Sequence, residues 1–179
     1  MDRRVQKTRQ LIMNTFIDLL TEKGFEKITI QDIADRADIN RGTVYLHYVD
    51  KFDLLDKCVE KYVDLLLHYC EGSTNTNLDA GAFLSVFGYM EKNFTIYKLL
   101  LNNEGIGYFR SRLYGIIETM AVEAIGRNPE NKAYSNPVTI QFLASGFIGV
   151  MEWWINQSMP CSVQEVTERL MFLLEPYTK

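Results

Sequence analysis

Apolar residues recur at helical spacing along the whole of this 179-residue chain, and no run of alternating residues indicates a β-strand. In the first segment Ile12, Phe16 and Leu19 fall on one face, and Gly24 follows them as a residue suited to end a helix. The pattern predicts an all-α protein of eight or nine helices. We expect a three-helix head joined by a long helix to a larger helical body.

Three signals after the first helix predict two short helices separated by a tight turn. Thr29 can cap the first short helix, residues 38 to 40 form the turn, and Asn40 can cap the next helix, Arg41 to about Tyr48. A long fourth helix is expected to start at residue 50 or 51. A short helix, a three-residue turn and a second short helix form the arrangement of a helix-turn-helix.

The polar stretch EGSTNTN at residues 71 to 77 is the one obvious linker in the sequence. Further helices are predicted at 78 to 93, 94 to 102, 105 to 126, 135 to 157 and 162 to 175. We place the domain boundary after residue 50, with a helix-turn-helix domain at 1–50 and a second helical domain at 51–179.

The formal net charge is −4, which ordinarily counts against binding to nucleic acid. The distribution of the charges matters more than their sum. Residues 1 to 10 contain four basic side chains, Arg3, Arg4, Lys7 and Arg9, against the single acidic Asp2. An otherwise acidic chain therefore carries a local basic arm.

The sequence predicts a soluble cytoplasmic protein. Its first residues run directly into an amphipathic pattern and show no signal-peptide core. The most apolar run, FLASGFIGVMEWWI, contains Glu152 and is too short to span a bilayer. Cys58, Cys70 and Cys161 are widely spaced, which favours buried free thiols in a reducing compartment, with redox sensing as the alternative.

No arrangement of residues typical of an enzyme is visible in the sequence. There is no nucleophile beside a base, no paired carboxylates, and no glycine loop that would bind phosphate. The two histidines, His47 and His68, have no cysteine at metal-ligand spacing. We therefore expect no catalytic residue, no cofactor and no metal ion.

The second short helix concentrates hydrogen-bond donors. Ile39 and Val44 are expected to face inward. The outward side chains, with one basic residue beyond the helix, are Arg41, Thr43, Tyr45, His47, Tyr48 and Lys51. Such a set suits contact with base edges and phosphates, whereas the alternative is a small amphipathic helix that packs in a bundle.

The segment ITIQDIADRADINRGTVYLHYVDKFDLL at residues 28 to 55 resembles the DNA-binding signature of TetR/AcrR-type transcriptional regulators. The shared features are the apolar-Thr start, the D-I-A core and the T-V-Y-x-H-aromatic-x-x-K segment, and the match covers about residues 8 to 57. Asp38 stands where a turn glycine is usual, Tyr48 where phenylalanine is common, and Phe52 where an acidic residue is frequent. An aspartate tolerates a left-handed turn, so the first of these departures is mild.

The resemblance implies two sets of DNA contacts. The residues expected to bind phosphates are Thr29, Thr43, Tyr45, Tyr48 and Lys51. The residues expected at base edges are Gln31, Arg41, Gly42 and His47. Arg41 is the best candidate to read a guanine, because a guanidinium group matches the O6 and N7 atoms of that base. A plain phosphate contact stays the alternative for Arg41.

The resemblance also implies that the helical body forms a homodimer. The last two predicted helices are apolar on more than one side, and such helices must be buried on more than one side. A two-fold four-helix interface would satisfy this requirement, and an ordinary monomeric core is the alternative. The expected interface residues are Leu143, Phe147, Val150, Met151, Trp154, Val166, Leu170 and Leu173.

The body is further expected to hold a pocket for a small apolar or amphiphilic effector. The candidate pocket residues are Phe83, Phe87, Met90, Tyr97, Tyr108, Phe109, Tyr114 and Trp153. For each of them, packing in the core is the alternative.

The resemblance as a whole implies a ligand-responsive homodimeric repressor that binds a palindromic operator in double-stranded DNA. An activator of the same fold, or a protein-interaction module with a degenerate helix-turn-helix, are the alternatives. The segment GVMEWWINQSMPCSVQEV at residues 149 to 166 resembles a subgroup that includes regulators of dihydroxyacetone-kinase operons.

Overall fold

The computed structural model describes residues 3–71, 80–102, 107–126 and 134–178, and these ranges are helical with no β-strand. The all-α prediction is therefore confirmed. The helices are α1 Arg3–Lys23, α2 Ile30–Ala37, α3 Arg41–Tyr45, α4 Lys51–Glu71, α5 Ala80–Lys92, α6 Phe94–Asn102, α7 Gly107–Gly126, α8 Pro137–Asn156 and α9 Val163–Thr178. A single 3-10 turn, Phe25–Lys27, lies between α1 and α2.

The boundaries of α1 and α2 follow from local capping, as the sequence predicts. Gly24 has a φ of 74°, a left-handed conformation that suits glycine, and its amide donates to the Leu20 carbonyl at 3.1 Å. Thr29 forms a capping box with Asp32. The Thr29 hydroxyl accepts from the Asp32 amide at 3.1 Å, and the Asp32 carboxylate accepts from the Thr29 amide at 2.8 Å.

The turn between α2 and α3 has the predicted geometry, but α3 is shorter than predicted. Asp38 is left-handed, with φ 52° and ψ 48°, and the Asn40 side chain accepts from the Gly42 amide at 2.8 Å. The expectation that α3 reaches Tyr48 is wrong, because the helix ends at Tyr45. The amides of His47 and Tyr48 both donate to the Val44 carbonyl at 3.0 Å, so the regular helical pattern is broken there.

Tertiary contacts divide the chain into two compact units, and the division falls inside α4. The first unit contains the helices up to Tyr62, and the second contains the residues from Val63 to Asn102 and those from Phe109 onwards. The domain boundary between residues 50 and 51 stays a prediction.

The core of the first unit fixes α3 from its inner side. Side chains with no solvent exposure here include Ile12 and Phe16 of α1, Ile33 of α2, Val44 of α3 and Leu54 of α4. Each of the helices in this unit therefore contributes to one apolar cluster. An ion pair between Arg36 and Glu22, with N–O distances of 2.8 and 2.6 Å, additionally joins α2 to α1.

The second unit is built around α8. Asn136 caps this helix by accepting from the Thr139 amide at 3.0 Å, and Pro137 occupies its first turn. Trp154 is fully buried, and its indole nitrogen donates to the Cys161 carbonyl at 2.9 Å. Within the described ranges, α8 is the one helix long and apolar enough to cross a bilayer, a property that core helices of globular proteins share.

Candidate nucleic-acid interface and apolar cavity

The segment from Arg41 to Val49 has one buried and one exposed face. Val44 and Tyr48 are buried, with 0% and 5% of their surface exposed, and Thr43 and His47 are half-buried beside them. The residues that point to solvent are Arg41, Gly42, Tyr45, Leu46 and Val49. At about 100° per residue, Arg41, Gly42, Tyr45 and the cap residue Leu46 fall within one arc of about 140° that excludes the buried Val44, and Val49 follows beyond the helix.

Arg41 and Tyr45 form an ordered pair on this exposed face. A guanidinium nitrogen of Arg41 donates to the Tyr45 hydroxyl at 3.0 Å, and the guanidinium carbon lies 5.4 Å from the centre of the Tyr45 ring. A guanidinium group has five N–H donors, so this contact leaves others for a base edge or a phosphate. The pair thus presents a positioned cation at the start of α3.

The predicted contact residues of α2 are exposed but already hydrogen-bonded. The Thr29 hydroxyl is part of the capping box, and the Gln31 amide donates to an Asp35 carboxylate oxygen at 2.7 Å. Hydrogen bonds from Lys23 and Thr29 hold the pKa of Asp32 at about 2, below its usual 3.8. Thr29 therefore has a structural role in addition to the phosphate contact predicted for it.

Tyr48 and Lys51 also make contacts within the first unit. The ammonium group of Lys51 donates to the carbonyls of Phe25 at 3.2 Å and Glu26 at 3.1 Å, and lies 4.7 Å from the centre of the Phe25 ring. Burial raises the pKa of the Tyr48 phenol. The phosphate contacts assigned to these two residues stay predictions, since both side chains serve the fold.

A basic cleft opens beside the end of α3 and has a volume of about 700 Å³. Its lining residues are Arg3, Gln6, Lys7, Arg9, Gln10, Met13, His47, Tyr48, Lys57 and Lys61. Five of these residues are lysines or arginines, and none is a carboxylate. The basic arm seen in the sequence therefore lies next to α3, where α4 adds two further cations.

Sequence reasoning missed four residues of this surface. Lys57 and Lys61 are one helical turn apart on α4, a spacing that places them on one face and could have been read from the sequence. Leu46 and Val49 were not predicted because the prediction rested on hydrogen-bond donors, which their side chains lack. Their spacing from the inward Val44 is the signal that would have found them.

The second unit contains a small cavity of about 60 Å³ whose lining is entirely apolar. Its lining residues are Leu66, Leu67, Phe83, Val86, Leu113, Ile116, Ile117, Met120, Ala121, Leu143, Phe147, Met151 and Leu174. None of the described residues in the lining carries a hydroxyl group, whereas the sequence predicts a mixed pocket. The volume suits a few heavy atoms, so a larger ligand would have to move the lining side chains apart.

Of the predicted effector residues, Phe83 lines this cavity, and the other described ones, Phe87, Met90, Tyr97, Phe109, Tyr114 and Trp153, are not among its lining residues. Residues buried in the core with 0% exposure are Phe87, Met90, Tyr97 and Phe109. The Tyr114 hydroxyl donates to Gln141, and Trp153 is 46% exposed on the surface of α8. The side chain of Tyr108 lies outside the described residues.

The predicted dimer residues also separate into three groups. Leu143, Phe147 and Met151 line the cavity. Trp154, Val166 and Leu170 are buried within the protomer, which leaves their side chains no free surface to pair with a second copy. Val150 is half-buried and Leu173 is 62% exposed. The exposed large apolar side chains of α8 and α9 are Val138, Phe142, Trp153, Phe172 and Leu173.

Comparisons with known proteins match both parts of the chain. Residues 12–58 match the model of the tetR family of bacterial regulatory proteins, and residues 80–176 match the model of a transcriptional regulator C-terminal region.

Two curated relatives and one solved structure illustrate the match. The chain is 30% identical over 116 residues to an uncharacterized HTH-type transcriptional regulator, YxbF, from Bacillus subtilis, covering 64% of this chain and 29% of YxbF. It is 26% identical over 115 residues to IcaR, the negative transcriptional regulator of the biofilm operon icaADBC in Staphylococcus aureus, covering 61% of each chain. A TetR transcriptional regulator from Streptococcus agalactiae superposes with a TM-score of 0.70 at 29% identity, covering 97% of this chain and 96% of that one. The chain thus spans less than two thirds of the length of these curated relatives.

Proposed function

Because the chain belongs to the TetR family of bacterial transcriptional regulators, we propose that it is a homodimeric repressor that releases its DNA operator when a small apolar molecule binds. The observation that carries this proposal is the exposed face of α3, where Arg41 and Tyr45 form a hydrogen-bonded pair while the neighbouring Val44 is fully buried in the core. The name of IcaR, a negative regulator, favours repression over activation.

DNA recognition would combine α3 with the basic cleft. In a helix-turn-helix, the second helix enters the major groove, where each base pair presents a distinct set of donors and acceptors. Arg41 at the start of α3 would donate to the O6 and N7 atoms of a guanine. The lysines and arginines of the cleft would neutralise phosphates on the adjoining backbone. Two copies of the chain would then bind the two halves of an inverted repeat.

Selection of bound sites from a random DNA pool tests the DNA-binding proposal. On the selected operator, Arg41→Ala should cost about 1–3 kcal/mol and relax the base preference at one position of each half-site. Arg112→Ala removes the same charge from an exposed position in the second unit and should leave both affinity and preference unchanged. Equal losses for Arg41→Ala on operator and random DNA would make Arg41 a phosphate contact. Absence of any selected site at low salt would reject DNA binding.

A reporter gene placed behind the selected operator separates repression from activation. Repression predicts that transcription rises when the protein is absent, and activation predicts that it falls. Loss of the protein without any effect on transcription would favour the remaining alternative, a protein-interaction module.

The homodimer would form through the exposed apolar surface of α8 and α9. Val138 and Phe142 are one turn apart on α8 and are 79% and 66% exposed, and Trp153 continues the same helix surface at 46%. Gly146 and Gly149 are exposed between them and have open space at the position of a Cβ atom, which allows another helix to approach closely. Packing α8 and α9 of two copies would cover this surface in a symmetric four-helix interface.

A single charged substitution tests this interface more cleanly than removal of residues 135–179, which would delete the buried Trp154. Phe142→Glu should give monomers in sedimentation velocity runs, because it places a charge at the centre of an apolar contact. Val122→Glu changes another exposed apolar residue, 49% exposed on α7, and should remain dimeric. A dimer of unchanged stability for Phe142→Glu would place the interface elsewhere.

The effector would enter the apolar cavity of the second unit. Since the lining has no polar atom to bind a charged group, we expect a neutral alkyl ligand to bind better than the corresponding carboxylate. Leu66 and Leu67 place α4 in the cavity wall, and the same helix begins at Lys51 in the first unit. A ligand that displaces α4 would therefore act on the helix that follows the DNA-binding segment.

Titration with 1-octanol and with octanoate tests the cavity. Fluorescence of Trp153 and Trp154 should respond to the alcohol at lower concentration than to the carboxylate. Ala121→Leu fills the cavity from a buried position, 3% exposed, and should abolish the response while the fold is kept. Coupling to DNA is expected at about 1–3 kcal/mol and must be reciprocal, so the operator should weaken octanol binding by the same factor. Equal octanol affinity with and without operator would exclude control by that ligand.

A further inference from the structure

The exposed face of α3 is apolar at one end. Leu46 is 81% exposed, which is the highest value for a large hydrophobic side chain in the described residues, and Val49 is 77% exposed. A single exposed leucine is ordinary on a protein surface. Leu46, however, lies on the same arc as Arg41 and Tyr45, on the face that the proposed function assigns to DNA, and the exposed Val49 follows just beyond the helix.

The position of Leu46 is fixed by its backbone and by its neighbours. Its amide donates to the Gly42 carbonyl at 3.1 Å, and its φ of −68° and ψ of −19° continue the helical path beyond Tyr45. Val44 and Tyr48 on either side are buried and anchor the segment. Leu46 therefore points outward because the core holds the opposite face of the same turn.

One chemical group in the major groove suits such a side chain. Among the four bases, thymine alone presents an apolar group there, the methyl on C5, whereas cytosine presents an amino donor that an aliphatic side chain would leave without a partner. The cleft beside α3 supplies cations for the phosphates, so the charges around Leu46 favour nucleic acid over an apolar protein surface.

We propose that Leu46 contacts the 5-methyl group of thymine in each half of the operator and so selects thymine over cytosine at that position. Leu46 follows Arg41 by five residues, or about 7.5 Å along the helix axis, which corresponds to about two base-pair steps. The preferred thymine should therefore lie one to three base pairs from the base that Arg41 reads. This inference rests on the proposed DNA-binding function.

Deoxyuridine substitution tests the contact, since uracil differs from thymine only by the missing methyl group. Each thymine of the selected operator is replaced in turn, and the Kd of the full-length protein is measured at one fixed salt concentration. At the position that Leu46 contacts, loss of one methyl group should weaken binding about fourfold per half-site. Substitution at the other thymines should change the Kd less than twofold.

A double-mutant cycle assigns the methyl contact to Leu46. In Leu46→Ala the penalty for deoxyuridine at that position should disappear, and Leu46→Met should retain it, because methionine keeps apolar reach. Leu11→Ala truncates an exposed leucine of α1, 44% exposed, and should keep the wild-type pattern. Because Leu46 is on the surface, circular dichroism of its variants should match the wild type.

Three results would overturn the inference. The first is that the wild-type protein binds the thymine and deoxyuridine operators equally at every position. The second is that Leu46→Ala keeps the full deoxyuridine penalty. The third is that the selected half-sites have no thymine within three base pairs of the Arg41 position. If no DNA is bound at all, the proposed function fails first, and this inference fails with it. Capture of another protein by wild type but not by Leu46→Ala, without DNA binding, would assign the patch to a protein partner instead.

Discussion

Replacing Lys51 with methionine should destabilise the first unit even when no DNA is present. The ammonium group of Lys51 donates to the carbonyls of Phe25 and Glu26, at 3.2 and 3.1 Å, and lies 4.7 Å from the Phe25 ring and 5.7 Å from the Phe52 ring. The two carbonyls belong to the 3-10 turn that joins α1 to α2. Lys51 therefore connects the start of α4 to the loop that positions α2.

The size of the effect follows from these contacts. A hydrogen bond to a charged group contributes about 1.5–3 kcal/mol, and a cation over an aromatic ring contributes about 0.5–1 kcal/mol. Lys51 is half-buried, so solvent screens part of this energy. We expect Lys51→Met to lower the free energy of unfolding of the first unit by about 1–3 kcal/mol. Methionine keeps an apolar stem of similar length, so the change isolates the ammonium group.

Hydrogen exchange read by mass spectrometry is the suitable assay. Both tryptophans, Trp153 and Trp154, belong to the second unit, so their fluorescence does not report on the first. The amide of Ile28, which donates to the Phe25 carbonyl at 3.1 Å, should exchange about 5- to 150-fold faster in Lys51→Met. Lys57→Met is the control, because its ion pair with Glu60 is exposed and contributes at most about 1 kcal/mol.

The opposite outcome would refute this account of Lys51. If Lys51→Met exchanges like the wild type but binds every DNA sequence more weakly, the ammonium group is a phosphate ligand and its contacts to the turn contribute little. If both exchange and binding change, the two effects can be separated by the salt dependence of operator binding. Loss of a phosphate contact reduces the dependence of the binding constant on salt concentration.

Three further predictions concern stability and the thiols. Thr29→Ala should cost about 0.5–2 kcal/mol by loss of the α2 cap, and Thr29→Ser should recover most of it; equal exchange rates in α2 for all three proteins would show that the cap contributes nothing. Because the pKa of Asp32 is lowered to about 2 in the folded state, its stabilisation is present above its ordinary pKa of 3.8 and is lost as the pH falls toward 2. Asp32→Asn should flatten that acid dependence in a CD titration, and an unchanged profile would contradict it. Burial raises the pKa of Cys58 to about 12, so iodoacetamide at pH 8 should label Cys58 far more slowly than the half-buried Cys161 in peptide mass spectra, and equal rates would argue against a buried thiol.

The parts of this fold that could be predicted from the sequence are those decided by three or four neighbouring residues. Gly24 ends α1 because its positive φ of 74° is a conformation that glycine, without a Cβ atom, adopts readily. Thr29 and Asn40 start α2 and α3 because their side chains can accept from amides two or three residues later. These interactions need no partner from elsewhere in the chain, so the sequence alone specifies them.

Assignments that depend on distant packing could not be made in this way. Trp153 and Trp154 are neighbours on an apolar helix, about 100° apart, and periodicity cannot decide which of them points inward when both sides are apolar. The structure buries Trp154 completely and leaves Trp153 46% exposed, whereas the sequence predicts Trp153 in the pocket and Trp154 in the dimer interface. Lys51 contacts Phe25 and Glu26, which precede it in the sequence by 26 and 25 positions. No periodic pattern in the sequence predicts a contact over such a separation.

The structure also explains how a chain with a net charge of −4 can present a basic surface. Several carboxylates of the first unit are used in local structure. Asp32 closes the α2 capping box, Glu22 pairs with Arg36, and Asp50 accepts from the two amides that begin α4. None of the residues lining the cleft beside α3 is acidic, and among its cations Lys57 is paired with a carboxylate from outside the lining, that of Glu60. Since salt screens charges beyond about 8 Å at physiological ionic strength, this local arrangement governs DNA binding more than the net charge does.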